Sequence, residues 1–129
     1  MNLNDKDKQI LEHIVRYCDE VNEAHTIFKY NKELFMNTPT YRNGCSMPIM
    51  QIGELVKKLS KSFINADKKM PWKEIKGMRD IFAHGYSTMN KEMIWNTSID
   101  DIPVLKNHVF KILNDSKNVD ELLNKSFTR

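Results

Sequence analysis

Apolar residues recur along this chain with the 3.6-residue period of helices. Leu3, Ile10, Ile14, Tyr17 and Val21 mark a first stripe, widened by Leu11, Val15 and Cys18. Asn4 or Asp5 can cap this helix, which should run to about Thr26. Asn31 predicts a cap for a short helix reaching Phe35 or Met36. Asn37-Thr38-Pro39 then reads as stop, cap and first-turn proline. The third helix should extend to about Phe63 on the stripe Ile49, Ile52, Leu55, Val56, Leu59 and Phe63. Gly53 inside it costs about 1 kcal/mol of helix propensity relative to Ala, and it implies close approach of another helix.

After the polar connection from Asn65 to Met70, Pro71 opens a fourth helix that buries Trp72, Ile75, Met78 and Phe82, with Gly85 as a left-handed stop. Asn90 predicts a cap for a segment carrying Met93, Ile94 and Trp95. Asp100 or Asp101 should cap the next helix, with Pro103 in its first turn. There Val104, Leu105, Val109, Ile112 and Leu113 should face inward and Lys106 and Lys111 outward. Val119 to Leu123 reads as a last amphipathic piece. No period-2 alternation is long enough for a strand. The expected fold is all-α, an antiparallel helical bundle.

Composition narrows this picture. The 129 residues fit one domain, 1–129, and only four glycines and four prolines interrupt it, so long helices are expected. No apolar run approaches the roughly 20 residues of a membrane-spanning helix. The polar N-terminus reads as no targeting peptide, so the expectation is a cytoplasmic protein with no membrane partner. Cys18 and Cys45 have no metal spacing and read as reduced packing residues. His13 and His25, lone helical histidines, receive no role.

The formal charge is only +3, but it is unevenly placed. The segment from Lys57 to Arg79 holds eight basic residues against Asp67 and Glu74, a net +6, while the rest of the chain carries −3. A local basic field favours an anionic partner such as RNA or nucleotide phosphate. The plainer alternative is a solvated helix face.

At the end of that segment, Met78 to Tyr86 gathers Arg79, Asp80, His84, Gly85 and Tyr86. Histidine as a residue type titrates near neutrality, so His84 suits either proton role in RNA cleavage by the 2′-hydroxyl. Arg79 can hold a phosphate bidentately and keeps its charge. Asp80 could orient Arg79 or His84 or assist proton transfer. Tyr86 could hydrogen-bond the phosphate or accept a modification. His84 lies five residues from Arg79, well round a helix from it. The two converge only at a helix end or when a second subunit brings its own copy. No His, Cys, Asp and Glu set has ligand spacing, so no metal or cofactor is expected and a metal-independent mechanism fits. The same residues could also merely fix a helical interface.

Arg79-Asp80-Ile81-Phe82-Ala83-His84-Gly85-Tyr86 resembles the R-x4-H-x-Y motif of the HepT-like (DUF86) family in the HEPN superfamily. Ile52-Gly53-Glu54-Leu55 is similar to the family's IGE element, and Pro71 to Met78 to its PW-x2-I-x-G-M lead-in. Trp95 with Asp101-Ile102-Pro103-Val104-Leu105 resembles its W…D-[LI]-P-x-L tail. The likeness covers about Asp5 to Leu113.

This resemblance implies a HEPN-like bundle that forms a homodimer with the motif in a composite cleft. It implies the endoribonuclease toxin of a prokaryotic type II toxin–antitoxin pair, in which the motif's Arg79 and His84 are catalytic. A cognate minimal nucleotidyltransferase (MNT) antitoxin would transfer AMP from ATP to Tyr86 and block the cleft. Asp80 stands where the family most often has Asn, adding a negative charge beside a phosphate site. Glu54, Lys57 and Lys76 are candidates for lining the cleft. The alternative is a non-catalytic helical subunit that binds nucleotide or partner within a nucleotidyltransferase complex.

Overall fold

The structure is a computed structural model that describes residues 3–84 and 91–127, with side chains for 3–79 and 91–116. It is all-helical, with no strand among the described residues. Helix α1 spans Asp5–Ile27, α2 Lys32–Asn37, α3 Pro39–Val56, α4 Lys61–Ala66, α5 Trp72–His84, α6 Lys91–Asn96 and α7 Ile102–Phe127. A π-helical turn, Thr97–Asp101, joins α6 to α7.

Helix α1 starts where its cap can accept a hydrogen bond: Asn4 Oδ1 accepts from the Asp7 N–H at 2.7 Å. Its buried line is Asp7, Leu11, Ile14, Cys18, Val21 and His25, with Ile10 beside it. The centre of the stripe therefore passes through Cys18, and Tyr17 lies at its half-buried edge. Spacings alternating between four and three residues put both polar ends of this line, Asp7 and His25, inside the protein.

Helix α3 lies antiparallel to α1: Gly44 abuts Ala24, and Ser60, just past α3, meets Asp7. Its core positions are Tyr41, Cys45, Ile49, Ile52 and Val56. The helix stops at Val56 and a separate α4 follows, where one helix to Phe63 was expected. The reason is a polar clasp. The Asp7 carboxylate accepts the Ser60 N–H at 2.9 Å and its hydroxyl at 2.6 Å, and Ser60 Oγ in turn accepts the Phe63 N–H. A buried carboxylate fixing the N-cap of α4 overrides the continuous apolar stripe. Asp7→Ala should lower stability by about 1–3 kcal/mol, because Ser60 loses its buried acceptor. Urea titration of the pair of proteins reads this directly, and an unchanged midpoint would remove the clasp from the account.

The junction of α6 and α7 is also corrected. Asp100 and Asp101 do not cap a new helix; the backbone passes through the π-helical turn without a break. Pro103 supplies the reason. It has no N–H for the Ile99 carbonyl and its ring crowds that carbonyl, which the wider turn accommodates. In α7, Ile102, Leu105 and Val109 are buried, whereas Val104 is 61% exposed and does not face inward. Val119 to Leu123 lie on the same continuous helix rather than in a separate piece. The expected cap at Asn90 and stop at Gly85 fall outside the described residues.

Helix α7 runs antiparallel to α1, with Ser98 opposite His25 and Lys106 paired to Asp19 at 2.6 Å. Helix α5 runs antiparallel to α3, with Arg79 opposite Gly53 and Lys73 near Lys57. Cys18 and Cys45 are buried and unjoined. No described helix is long and apolar enough to cross a membrane.

Candidate functional site

Helices α3 and α5 build the site together. Gly53 is buried where α5 crosses α3, and a Cβ placed there would lie 2.8 Å from Arg79 Cβ and 3.0 Å from Arg79 N. The absent side chain lets the two backbones touch at the arginine, as the propensity cost of Gly53 implied. The next residue, Glu54, accepts a charge-assisted hydrogen bond from Arg79 Nε–H. It also faces Lys57 Nζ at 3.5 Å. One turn of α3 thus sets both the depth of Arg79 and the plane of its guanidinium. Glu54 had been expected only to line the cleft; here it orients the arginine.

Beyond this pair, Lys57 and Lys76 line a groove of about 470 Å³ between α3, α4 and α5, and Lys61 and Lys73 line it with them. Its floor includes Leu59 and Trp72. Trp72 is buried, held by its Nε1–H donating to Asp67 Oδ2 at 2.9 Å. His108 Nε2 lies 2.7 Å from the same oxygen. Lys61 and Lys73 were counted in the basic segment but not singled out. Helical spacing puts Lys73, Lys76 and Arg79 at successive i+3 positions, and that was the available signal.

Asp80 and His84 lie one turn apart on the α5 backbone, and their side chains are outside the described residues, as is all of Tyr86. The α5 backbone stays helical through position 84, so positions 79 and 84 lie about 140° apart round its axis. Within a single α5 they do not share a face. Among the described residues no three His, Cys, Asp or Glu side chains form a metal-binding group.

A second polar cluster was missed in the sequence. His25 is 1% exposed between Tyr41 and Ser98. The Ser98 O–H donates to the Trp95 carbonyl at 2.7 Å, so its oxygen accepts from His25 Nε2–H at 2.9 Å. Nδ1 is then left to accept from the Tyr41 O–H at 2.5 Å. Tyr30 and Phe35 stack on the ring, and Trp95 meets it edge-on. Burial pushes His25 down to about 4 and the thiols of Cys18 and Cys45 up to about 12.

These observations argue against a nucleophile–base set. Ser98 has spent its proton on a carbonyl, Nε2 already carries one, and neither thiol ionises near neutrality. The cluster is a core hydrogen-bond chain. Position 25 continues the spacing of Ile14, Cys18 and Val21, which could have placed it inside.

The fold and site define an all-helical protein with an arginine clamped by a carboxylate, which it shares with a lysine of a lysine-lined groove. A profile of the "Ribonuclease HepT-like" family matches residues 9–112, and the chain belongs to that family. It is 37% identical to a protein of Caldanaerobacter subterraneus named "Putative RNase", over 83% of this chain and 94% of the relative. It is 31% identical to a protein of the same name from Methanocaldococcus jannaschii, over 88% of this chain and 93% of that one. A "Probable ribonuclease HepT" of Thermococcus cleftensis is 34% identical, over 47% of this chain and 56% of its own length. No solved structure matches.

Proposed function

We propose that this chain is a metal-independent endoribonuclease whose Arg79 and His84 act in a cleft shared by two copies. The observation that carries the reading is Arg79 itself: seated on Gly53, oriented by Glu54 and one turn along α5 from Lys76 of a basic groove, in a chain of the HepT-like family. The names of its relatives support the same class of activity.

In the reaction the 2′-oxygen of a ribose attacks the adjacent phosphorus, and the bond from phosphorus to the 5′-oxygen breaks. The 2′-hydroxyl proton goes to a base, and the leaving 5′-oxygen takes a proton from an acid. The products are a 2′,3′-cyclic phosphate and a 5′-hydroxyl. His84 supplies one of the proton-transfer roles. Arg79 holds the charge that grows on the phosphorane oxygens. Because the nucleophile is the substrate's own hydroxyl, no metal-activated water is required. The 140° between positions 79 and 84 on one helix is the reason for a homodimer, in which one copy's Arg79 faces the other's His84. Asp80, one turn before His84, is a candidate orienting group.

Regulation follows from Tyr86, two residues beyond His84. An MNT-type nucleotidyltransferase antitoxin transfers AMP from ATP to its phenol oxygen, releasing pyrophosphate, and the added phosphate occupies the place of the substrate's. The chain is then the toxin of a prokaryotic toxin–antitoxin pair, acting in the cytoplasm.

The test is cleavage of RNA by the chain expressed without any partner, in EDTA. The parent should cut, and His84→Ala should fall by about 10²–10⁴-fold. Equal cutting by His84→Ala sinks the assignment. An inert parent that still gains AMP at Tyr86, lost in Tyr86→Phe, would favour the non-catalytic subunit instead.

A further inference from the structure

The basic segment holds more than the catalytic reading uses. Lys57 at the end of α3, Lys61 at the start of α4, and Lys73 and Lys76 on α5 converge on one groove, whose Lys57 shares Glu54 with Arg79 and whose Lys76 precedes Arg79 by three residues on α5. All four are exposed. Lysines that serve only solubility are interspersed with acids on the same face. Here the acids of the segment are turned away. Asp67 is 5% exposed and bonded to Trp72 and His108. Glu74, on the same helix as Lys73 and Lys76, lines a separate depression on the far side of α5 with Met78, Asp101 and Val104. Among the described residues no carboxylate lines the groove; Glu54, beside Lys57, is already engaged with Arg79 and Lys57. Four of the segment's seven lysines therefore share one groove with no carboxylate in its lining.

The floor differs from the rim. Val56, Leu59, Ile64 and the edge of the buried Trp72 give an apolar base between the lysines. Ammonium groups on the rims and apolar surface between them suit a flexible strand with charged backbone and flat apolar bases. From Lys73 to Arg79 the α5 axis advances about 9 Å, so the lysines continue the line of the arginine instead of crowding it.

We propose that this groove carries single-stranded RNA away from Arg79, with Lys57, Lys61, Lys73 and Lys76 on successive backbone phosphates and bases against the Leu59–Trp72 floor. The proposal rests on the ribonuclease reading for its direction, since Lys57 and Lys76 adjoin the arginine assigned to the scissile phosphate. It adds an exosite that fixes how far along the strand the protein grips. An acidic protein surface is the competing occupant.

The experiment measures binding apart from chemistry. Full-length His84→Ala protein is titrated with a labelled single-stranded RNA of about 12 nucleotides over a range of salt. The same protein carrying Lys61→Ala and Lys73→Ala, both exposed and outside the core, is titrated alongside. Loss of two phosphate contacts should weaken binding roughly tenfold at low salt and reduce the slope of log affinity against log salt by about 1.4. Lys61→Glu with Lys73→Glu should weaken it further. Unchanged affinity and slope in both double variants overturn the proposal and leave the face to an acidic protein. Cleavage by the parent reads the ribonuclease assignment separately. A cutting parent with unchanged binding in the double variants sinks the groove alone. An inert parent whose RNA binding still falls on lysine loss keeps the groove and sinks the chemistry.

Discussion

Gly53→Val should both destabilise the protein and cripple its proposed activity, whereas Gly77→Ala, two residues before Arg79, should stabilise it. Both glycines sit inside helices, yet they face opposite surroundings. A Cβ at 53 meets Arg79 Cβ at 2.8 Å and Arg79 N at 3.0 Å, and one of these atoms is backbone. Room can be made only by moving α5 off α3. Overpacking of this kind costs about 1–3 kcal/mol. The displaced residue is Arg79, and misplacing a catalytic group by about 1 Å costs on the order of 100-fold in rate. A Cβ at 77 meets nothing within 4 Å. There the substitution only improves helix propensity, by about 1 kcal/mol. Thermal melts of both variants, with cleavage assays on the first, decide the matter. A Gly53→Val protein as stable and active as the parent would mean that the α3–α5 contact does not position the arginine. Destabilisation by Gly77→Ala would mean that something presses on that face of α5.

The second large effect is acid sensitivity of the fold through His25. Burial holds His25 at about 4 in the folded chain, below its ordinary 6.5. Between these values the unfolded chain binds the proton and the folded chain does not. Stability is therefore complete above about 6.5 and falls as the pH drops toward 4. The full difference corresponds to about 3 kcal/mol. The ring is 1% exposed, and protonating Nδ1 would turn the Tyr41 hydroxyl from a donor into a clash of donors. The facing groups do not titrate in this window: Tyr41, Cys18 and Cys45 are all pushed up to about 12 by burial. Urea unfolding at several pH values should show the loss in the parent. His25→Gln should start from lower stability at neutral pH and show a flatter dependence from 6.5 to 4. An equally steep dependence in that variant would place the acid sensitivity elsewhere.

The helices were legible because burial here follows a simple period. The stripe of α1 and the core line of α3 could be read directly, as could the glycine that lets α5 approach. Caps were legible where a short polar side chain serves its own helix, as Asn4 and Asn31 do. They were misread where the deciding partner is distant. Ser60 starts α4 because Asp7, 53 residues away, accepts from it. Val104 was placed inside because position alone does not say which of two adjacent apolar residues meets another helix. At the candidate site, Arg79, Lys57 and Lys76 were singled out from charge and motif. The task of Glu54 needed the crossing of α3 over α5.

The sequence by itself determined an all-helical chain, its HepT-like kinship, and which segment carries the cation-rich chemistry. These depend on periodicity and on residue types at fixed spacing, which survive without coordinates. Only the tertiary structure decided that Glu54 orients Arg79, that Asp67 and Glu74 are turned away from the lysine groove, and that His25 is a neutral core residue. Each depends on which face of one helix meets which face of another. A carboxylate neutralises a basic segment, or leaves its field intact, according to direction and burial, and neither is a property of position along the chain.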